Sequence, residues 1–124
     1  MAKFWFGMGC LLAALGVSAG AFGAHILKHK ISVEMLNVFE VGVRYQMYHA
    51  FGLIVLGLAI DRWMEEDIQW SGWMWLIGIV LFSGSLYVYC LTGVGFWVGI
   101  TPFGGICLIG GWIFLLWNTW RRLR

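Results

Sequence analysis

The run IQWSGWMWLIGIVLFSGSLYVYCLTGVGFWVGITPFGGICLIGGWIFLLWNTW, Ile68–Trp120, decides the fold: 53 residues pass without a Lys, Arg, Asp or Glu. A membrane span takes about 20 apolar residues, so this run is too long for one crossing and long enough for two with a turn. Thr92-Gly-Val-Gly95 supplies the turn, because paired glycines punctuate a helical pattern. Towards the N-terminus, Phe4–Ala24 is another uncharged run, and Tyr45–Ile60 is a third that borrows part of Glu40–Arg44 to reach spanning length. Four helices are predicted, over about 4–25, 40–61, 69–91 and 98–119. They form one all-α integral membrane domain, a compact bundle of four transmembrane helices over residues 1–124. The polar/apolar alternation of a barrel strand is missing from these runs.

Composition agrees with this reading. Hydrophobic residues make up 61% of the chain and charged residues 11%, with mean hydropathy +0.84; a soluble domain is about a quarter charged. A formal net charge of +2 gives no footing for a nucleic-acid partner. Cys10, Cys90 and Cys107 all sit within apolar runs and read as small buried residues, not as a disulfide framework or metal knuckle. The first run has a second reading, because Lys3, an apolar stretch and Ser18-Ala-Gly-Ala21 resemble a signal peptide with its cleavage site. Glycines and alanines continue beyond that site, as a packed helix requires.

Charge sets the expected orientation. Lys3, Arg62, Arg121, Arg122 and Arg124 fall on the side of the termini, against Lys28, Lys30 and Arg44 on the other, which predicts cytoplasmic termini. Asp61, Glu65, Glu66 and Asp67 count little in that rule. Trp5, Trp63, Trp70, Trp73, Trp117 and Trp120 gather at the same face, where indoles favour the headgroup level. In the first loop Ser32 is a helix cap, and Glu34, Asn37, Glu40 and Arg44 form a polar stripe opposite Met35, Val38 and Phe39. This predicts a short interfacial helix that feeds the second span.

Polar residues inside the runs are the candidates for function. Arg44-Tyr-Gln-Met-Tyr-His49 leads directly into the second span, and polar groups there must snorkel, pair or work. Glu40 and Arg44 are spaced i,i+4 with the acid first, the better orientation for a helical pair. The plainer reading of Arg44 is a snorkelling cation paired to Glu40, and the sharper one is a site-lining group. His49 reads as a hydrogen-bonded core residue, with proton carrier and ligand as alternatives. Ser83 and Tyr87 lie one turn apart on the third span, where hydroxyls usually bond the backbone or a neighbouring helix. Thr101-Pro-Phe-Gly-Gly105 reads as a capped start to the fourth span, or as a broken helix facing a polar cavity. Gly16 and Gly20, and likewise Gly104 and Gly105, permit close helix packing within the monomer or between copies. His25 and His29 form an H-x-x-x-H pair without a third ligand, and haem held by His25 and His49 would need equal depth, so no metal or cofactor is expected. In the four-span layout His25, Glu40, Arg44, Tyr45, His49, Ser83, Ser85, Tyr87 and Thr101 gather in the outer half as one polar cluster.

Four segments in register, Gly20-Ala-Phe-Gly-Ala-His25, Tyr45-Gln-Met-Tyr-His49, Phe82-Ser-Gly-Ser-Leu-Tyr87 and Thr101-Pro-Phe-Gly-Gly105, resemble the YgdD-like family of small bacterial membrane proteins. The likeness runs from about Gly16 to Trp117 and implies a four-helix inner-membrane protein of a domain-of-unknown-function family with eukaryotic relatives. It carries over no catalytic residue. The residues support three readings. The first is a non-enzymatic accessory protein that binds a partner protein or membrane lipid through the polar cluster. The second is a small channel or proton-coupled transporter working as a dimer, a homo-oligomer of this chain. The third is a lipid- or quinone-directed enzyme with His49 as base and Arg44 as anion anchor.

Overall fold

The structure, a computed structural model, describes residues 1–63 and 66–123. Glu65, Arg124 and the side chain of Glu66, which enter the charge pattern above, lie outside the described residues. Four long helices carry the chain: α1 (Ala2–His25), α2 (Val33–Trp63), α3 (Gln69–Thr92) and α4 (Thr101–Arg122). Single 3-10 segments at Leu27–His29, Glu66–Ile68 and Gly95–Gly99 join them. All four are long and apolar enough to cross a membrane.

Helix boundaries follow local chemistry. The Ser32 hydroxyl accepts the Met35 amide at 3.2 Å, and Glu34 sits in the first turn, where a carboxylate suits the helix dipole. The helix so capped does not stop at the interface. The expected interfacial helix and the second span form one continuous element of 31 residues, about 46 Å at 1.5 Å per residue. That exceeds a hydrocarbon core of about 30 Å, so the first turns of α2 project to headgroup level. α3 ends at Gly93, whose φ of 70° is the left-handed conformation that favours glycine, and its amide closes on Tyr89 O at 2.7 Å. The N-cap of α4 is Ile100 and Pro102 lies in the first turn; Thr101 does not cap the helix, because its hydroxyl is engaged elsewhere.

The helices pack in chain order, α1 on α2, α2 on α3 and α3 on α4. α2 and α3 therefore form the interior: 44% and 39% of their span windows are buried, against 17% for α1 and for α4. The main core joins Leu53, Leu56 and Ile60 of α2 to Trp75 and Ile79 of α3, Leu108 of α4 and Trp5 of α1. Trp5 corrects an expectation. It is wholly buried with its ring edge-on to Trp73 at 4.9 Å, whereas Trp63, Trp70, Trp117 and Trp120 are exposed as belt residues should be. Cys10 is also exposed, on the outward face of α1.

Lipid tails are as apolar as leucine, so helix association in a membrane rests on close packing and hydrogen bonds. Three backbone contacts here leave no room for a side chain. A Cβ at Gly9 would lie 2.6 Å from Ala50 O and one at Gly57 2.7 Å from Ala2 O, so α1 and α2 meet backbone to backbone at both positions. A Cβ at Gly104 would collide with the backbone of α3 at Phe82. Of the other packing candidates, a Cβ at Gly16 would be as close, 2.5 Å from Met47 Sδ, but that side chain can move; one at Gly20 would stand 3.5 Å from Val43 and one at Gly105 3.8 Å from the Phe82 ring. Gly9→Ala and Gly104→Ala are therefore expected to destabilise the bundle by about 1–3 kcal/mol each. Gly84→Ala, which meets nothing within 4 Å, should be silent. Thermal unfolding in detergent checks this, and equal melting temperatures for all three variants would disprove the backbone contacts.

Candidate functional site

The antiparallel register of α2 and α3 sets Gly42 beside Ser83, and Gln46 beside Tyr87. The buried polar side chains in this half of the bundle, Gln46, His49, Ser83 and Ser85, each reach a partner on another helix. Ser83 donates to Gly42 O at 2.6 Å. Tyr87 donates to Gln46 Oε1 at 2.6 Å, while Gln46 Nε2 donates to Leu12 O of α1 at 2.9 Å. The amide orientation is determined by its partners, because a carbonyl only accepts. The Cys90 thiol reaches Met35 O at 3.2 Å. Ser85 and Thr101 join α3 to α4 at 2.6 Å. Each hydroxyl has one proton, and Ser85 lies 2.9 Å from Phe82 O whereas Thr101 lies 3.4 Å from Trp97 O. The better geometry has Thr101 donating to Ser85 and Ser85 donating to Phe82 O.

His49 joins α2 to α4. Its Nδ1 lies 2.7 Å from Tyr45 O, and Trp112 Nε1 lies 2.9 Å from its Nε2. A carbonyl cannot donate and an indole N–H cannot accept. The ring is therefore the neutral tautomer with its proton on Nδ1 and its Nε2 lone pair occupied. It is 4% exposed and adjoins Trp75, whose ring centroid is 4.3 Å from that of Trp112. In this geometry His49 can take up a proton only by releasing Trp112.

The expected cluster thus divides. His49, Ser83, Ser85, Tyr87 and Thr101 are drawn into interhelical hydrogen bonds. His25, Glu40, Arg44 and Tyr45 lie on the exposed surface, although the Tyr45 ring also packs 5.0 Å from Phe82. No ion pair joins Glu40 to Arg44 among the described residues, where Arg122 pairs with Asp67 at 3.2 Å. α1 ends at His25, so His25 and His29 do not share a helix. No group of three metal-ligating side chains occurs among the described residues. Sequence reasoning assigned no role to Gln46 or to Trp112. For Gln46 a signal existed, since an amide within an apolar helix must find a partner.

α2 and α4 do not close on each other. Beside the His49–Trp112 bond a groove of about 490 Å³ opens on the outer surface of the bundle, lined by Tyr45, Tyr48, Phe82, Gly105, Leu108 and Ile109. A second hollow of about 440 Å³ continues it past Tyr48 and Trp112 to Trp63 and Thr119. Only the His49–Trp112 contact crosses the floor by hydrogen bonding among the described residues.

Residues 19–105 match the family described as protein of unknown function (DUF423). The chain is 41% identical over 119 residues to a UPF0382 membrane protein of Staphylococcus haemolyticus (strain JCSC1435), covering 96% of this chain and 97% of that protein. It is 44% identical over 117 residues to one from Staphylococcus epidermidis (strain ATCC 12228 / FDA PCI 1200), covering 94% and 95%. It is 42% identical over 115 residues to UPF0382 membrane protein YwdK of Bacillus subtilis (strain 168), covering 92% and 94%. No solved structure matches.

Two measurements test the bonded geometry. Gln46→Leu, which strands the Tyr87 hydroxyl, should cost about 1–3 kcal/mol. Its coupling to Tyr87→Phe in a double-mutant cycle should be about 0.6–1.7 kcal/mol, and zero coupling would mean that amide and phenol do not meet. Nitrogen-15 spectra of His49 near neutral pH should show a protonated Nδ1 and a bare Nε2 that shifts in Trp112→Phe. An Nε2–H signal would contradict the assigned tautomer.

Proposed function

This chain belongs to the DUF423 family, and we propose that it acts as a non-enzymatic lipid-binding protein of the membrane, through the groove between α2 and α4. One observation carries the reading: an apolar channel, open sideways to lipid, runs along two adjoining helices and is bridged at mid-length by His49 and Trp112. A cleft of this shape suits a lipid chain, which can enter without leaving the bilayer. Membrane lipid is the proposed partner, with a partner protein or second copy as the competing occupant. The bacterial inner membrane, cytoplasmic termini and the finer YgdD-like identification belong to the same proposal, supported by the charge asymmetry and the four motif segments.

The hydrogen bonds support this over the rivals. A general base needs a free lone pair, and a proton carrier needs an imidazole that cycles between states; Nε2 of His49 is taken by Trp112. The polar groups are better read as the frame that holds the groove than as its binding face.

Reconstitution with a phospholipid carrying a diazirine on its acyl chain tests the reading. Crosslinks should concentrate several-fold on Tyr45, Tyr48, Phe82 and Ile109 relative to the exposed face of α1. Gly105→Leu, whose added Cβ has space at 3.8 Å from Phe82, should fill the groove and remove them. Even labelling around the bundle, unchanged in Gly105→Leu, would overturn the proposal.

A further inference from the structure

We infer that the groove selects an amine-bearing phospholipid, one whose headgroup carries a phosphate and a primary ammonium; this rests on the lipid-binding reading above. Two charges that should have paired do not. Glu40 and Arg44 stand i,i+4 with the acid N-terminal, the favourable spacing and order for a helical ion pair. Both are exposed on α2 without an ion-pair or hydrogen-bond partner among the described residues. Both heads are thus free for a ligand on the lipid side.

Their position joins them to the groove. Arg44 is one turn above Tyr48, which is 54% exposed and lines the groove, so the two share a face of α2. Helical side chains lean towards the N-terminus, which in α2 is the end that projects to headgroup level. The Arg44 stem therefore runs along the lip of the groove and its guanidinium rises towards the lipid phosphates. Glu40 lies about 6 Å further out along the helix axis. From the groove outwards the order is apolar channel, cation, anion.

A glycerophospholipid presents acyl chain, phosphate and terminal headgroup substituent in the same order. Where that substituent is an aminoethyl group, the phosphate meets Arg44 and the ammonium meets Glu40. Guanidinium matches phosphate in a bidentate fork, and an ammonium donates three N–H bonds that a carboxylate accepts. A glycerol headgroup carries no cation, so it leaves the Glu40 carboxylate uncompensated beside the lipid phosphate. The other charges at this end are Glu34, Lys28 and Lys30, with His25 and His29. Lys28, Lys30 and both histidines belong to the end of α1 and the following 3-10 turn, not to the Glu40–Arg44 face of α2.

The test uses full-length protein in vesicles of equal phosphatidylethanolamine and phosphatidylglycerol with identical acyl chains. Detergent extraction and native mass spectrometry then count the lipids retained. Wild type should retain phosphatidylethanolamine by about twofold to fivefold over phosphatidylglycerol, the size expected for one exposed ion pair. Glu40→Gln should erase that ratio without lowering total retention. Arg44→Gln should reduce retention of both lipids, and Arg44→Lys should restore it in part. Gly105→Leu should reduce both and leave the ratio of the remainder unchanged. A ratio near one in wild type, or one unmoved by Glu40→Gln, would overturn headgroup selection while the groove reading stands. Retention unaffected by Gly105→Leu would overturn the groove reading itself.

Discussion

The amide of Gln46 joins three of the four spans. It donates a hydrogen bond to Leu12 O of α1 and accepts one from Tyr87 of α3. An amide in hydrocarbon costs several kcal/mol if left unpaired, so once α2 spans the bilayer its partners are close to obligatory. That requirement sets the register of α1 and α3 against α2 together. The backbone contacts of α1 with α2 at Gly9 and Gly57 fit this register, where glycine meets the neighbouring main chain. Apolar packing alone would tolerate a slide of one turn, because leucine against leucine resembles leucine against lipid.

The same economy of polar groups explains where the bundle is open. α1 and α4 each have one principal neighbour, so α4 leans on α3 and meets α2 through His49 and Trp112. The groove is the space this arrangement leaves. Hydrogen bonding is concentrated in the half of the bundle that carries the α1–α2 connection. Towards the termini the buried Trp5 Nε1, Ser71 Oγ and Trp75 Nε1 have no hydrogen-bond partner among the described residues. Packing of indole rings against glycines dominates there: Trp5 covers Gly72, and Trp75 lies against Gly111.

Much of the candidate site was legible as residue types and little of it as partners. Ser83, Tyr87 and His49 were recognisable because a polar side chain in an apolar run needs an explanation. Their partners were not, since Gly42 O, Leu12 O and Tyr45 O are backbone atoms that every residue possesses. Thr101 shows the limit. Beside Pro102 it reads as a cap, yet its hydroxyl serves Ser85 across the helix interface, because α3 passes within reach there at Gly104. The Glu40–Arg44 spacing likewise favours a pair, yet both side chains are exposed and no ion pair joins them among the described residues.

By itself the sequence determined the all-helical class and the four spanning helices, with their approximate places along the chain. Hydrocarbon admits only helices or closed barrels, and the lengths of uncharged sequence count the crossings. It also determined the Ser32 cap and the glycine stop at Gly93, both local backbone matters. The tertiary structure alone decided which polar groups are engaged and which are free, that Trp5 is core, and that α2 and α4 part to leave a groove. Those outcomes depend on the rotation and register of each helix against the next. Here these follow from glycine contacts and single hydrogen bonds between residues as far apart in the chain as His49 and Trp112.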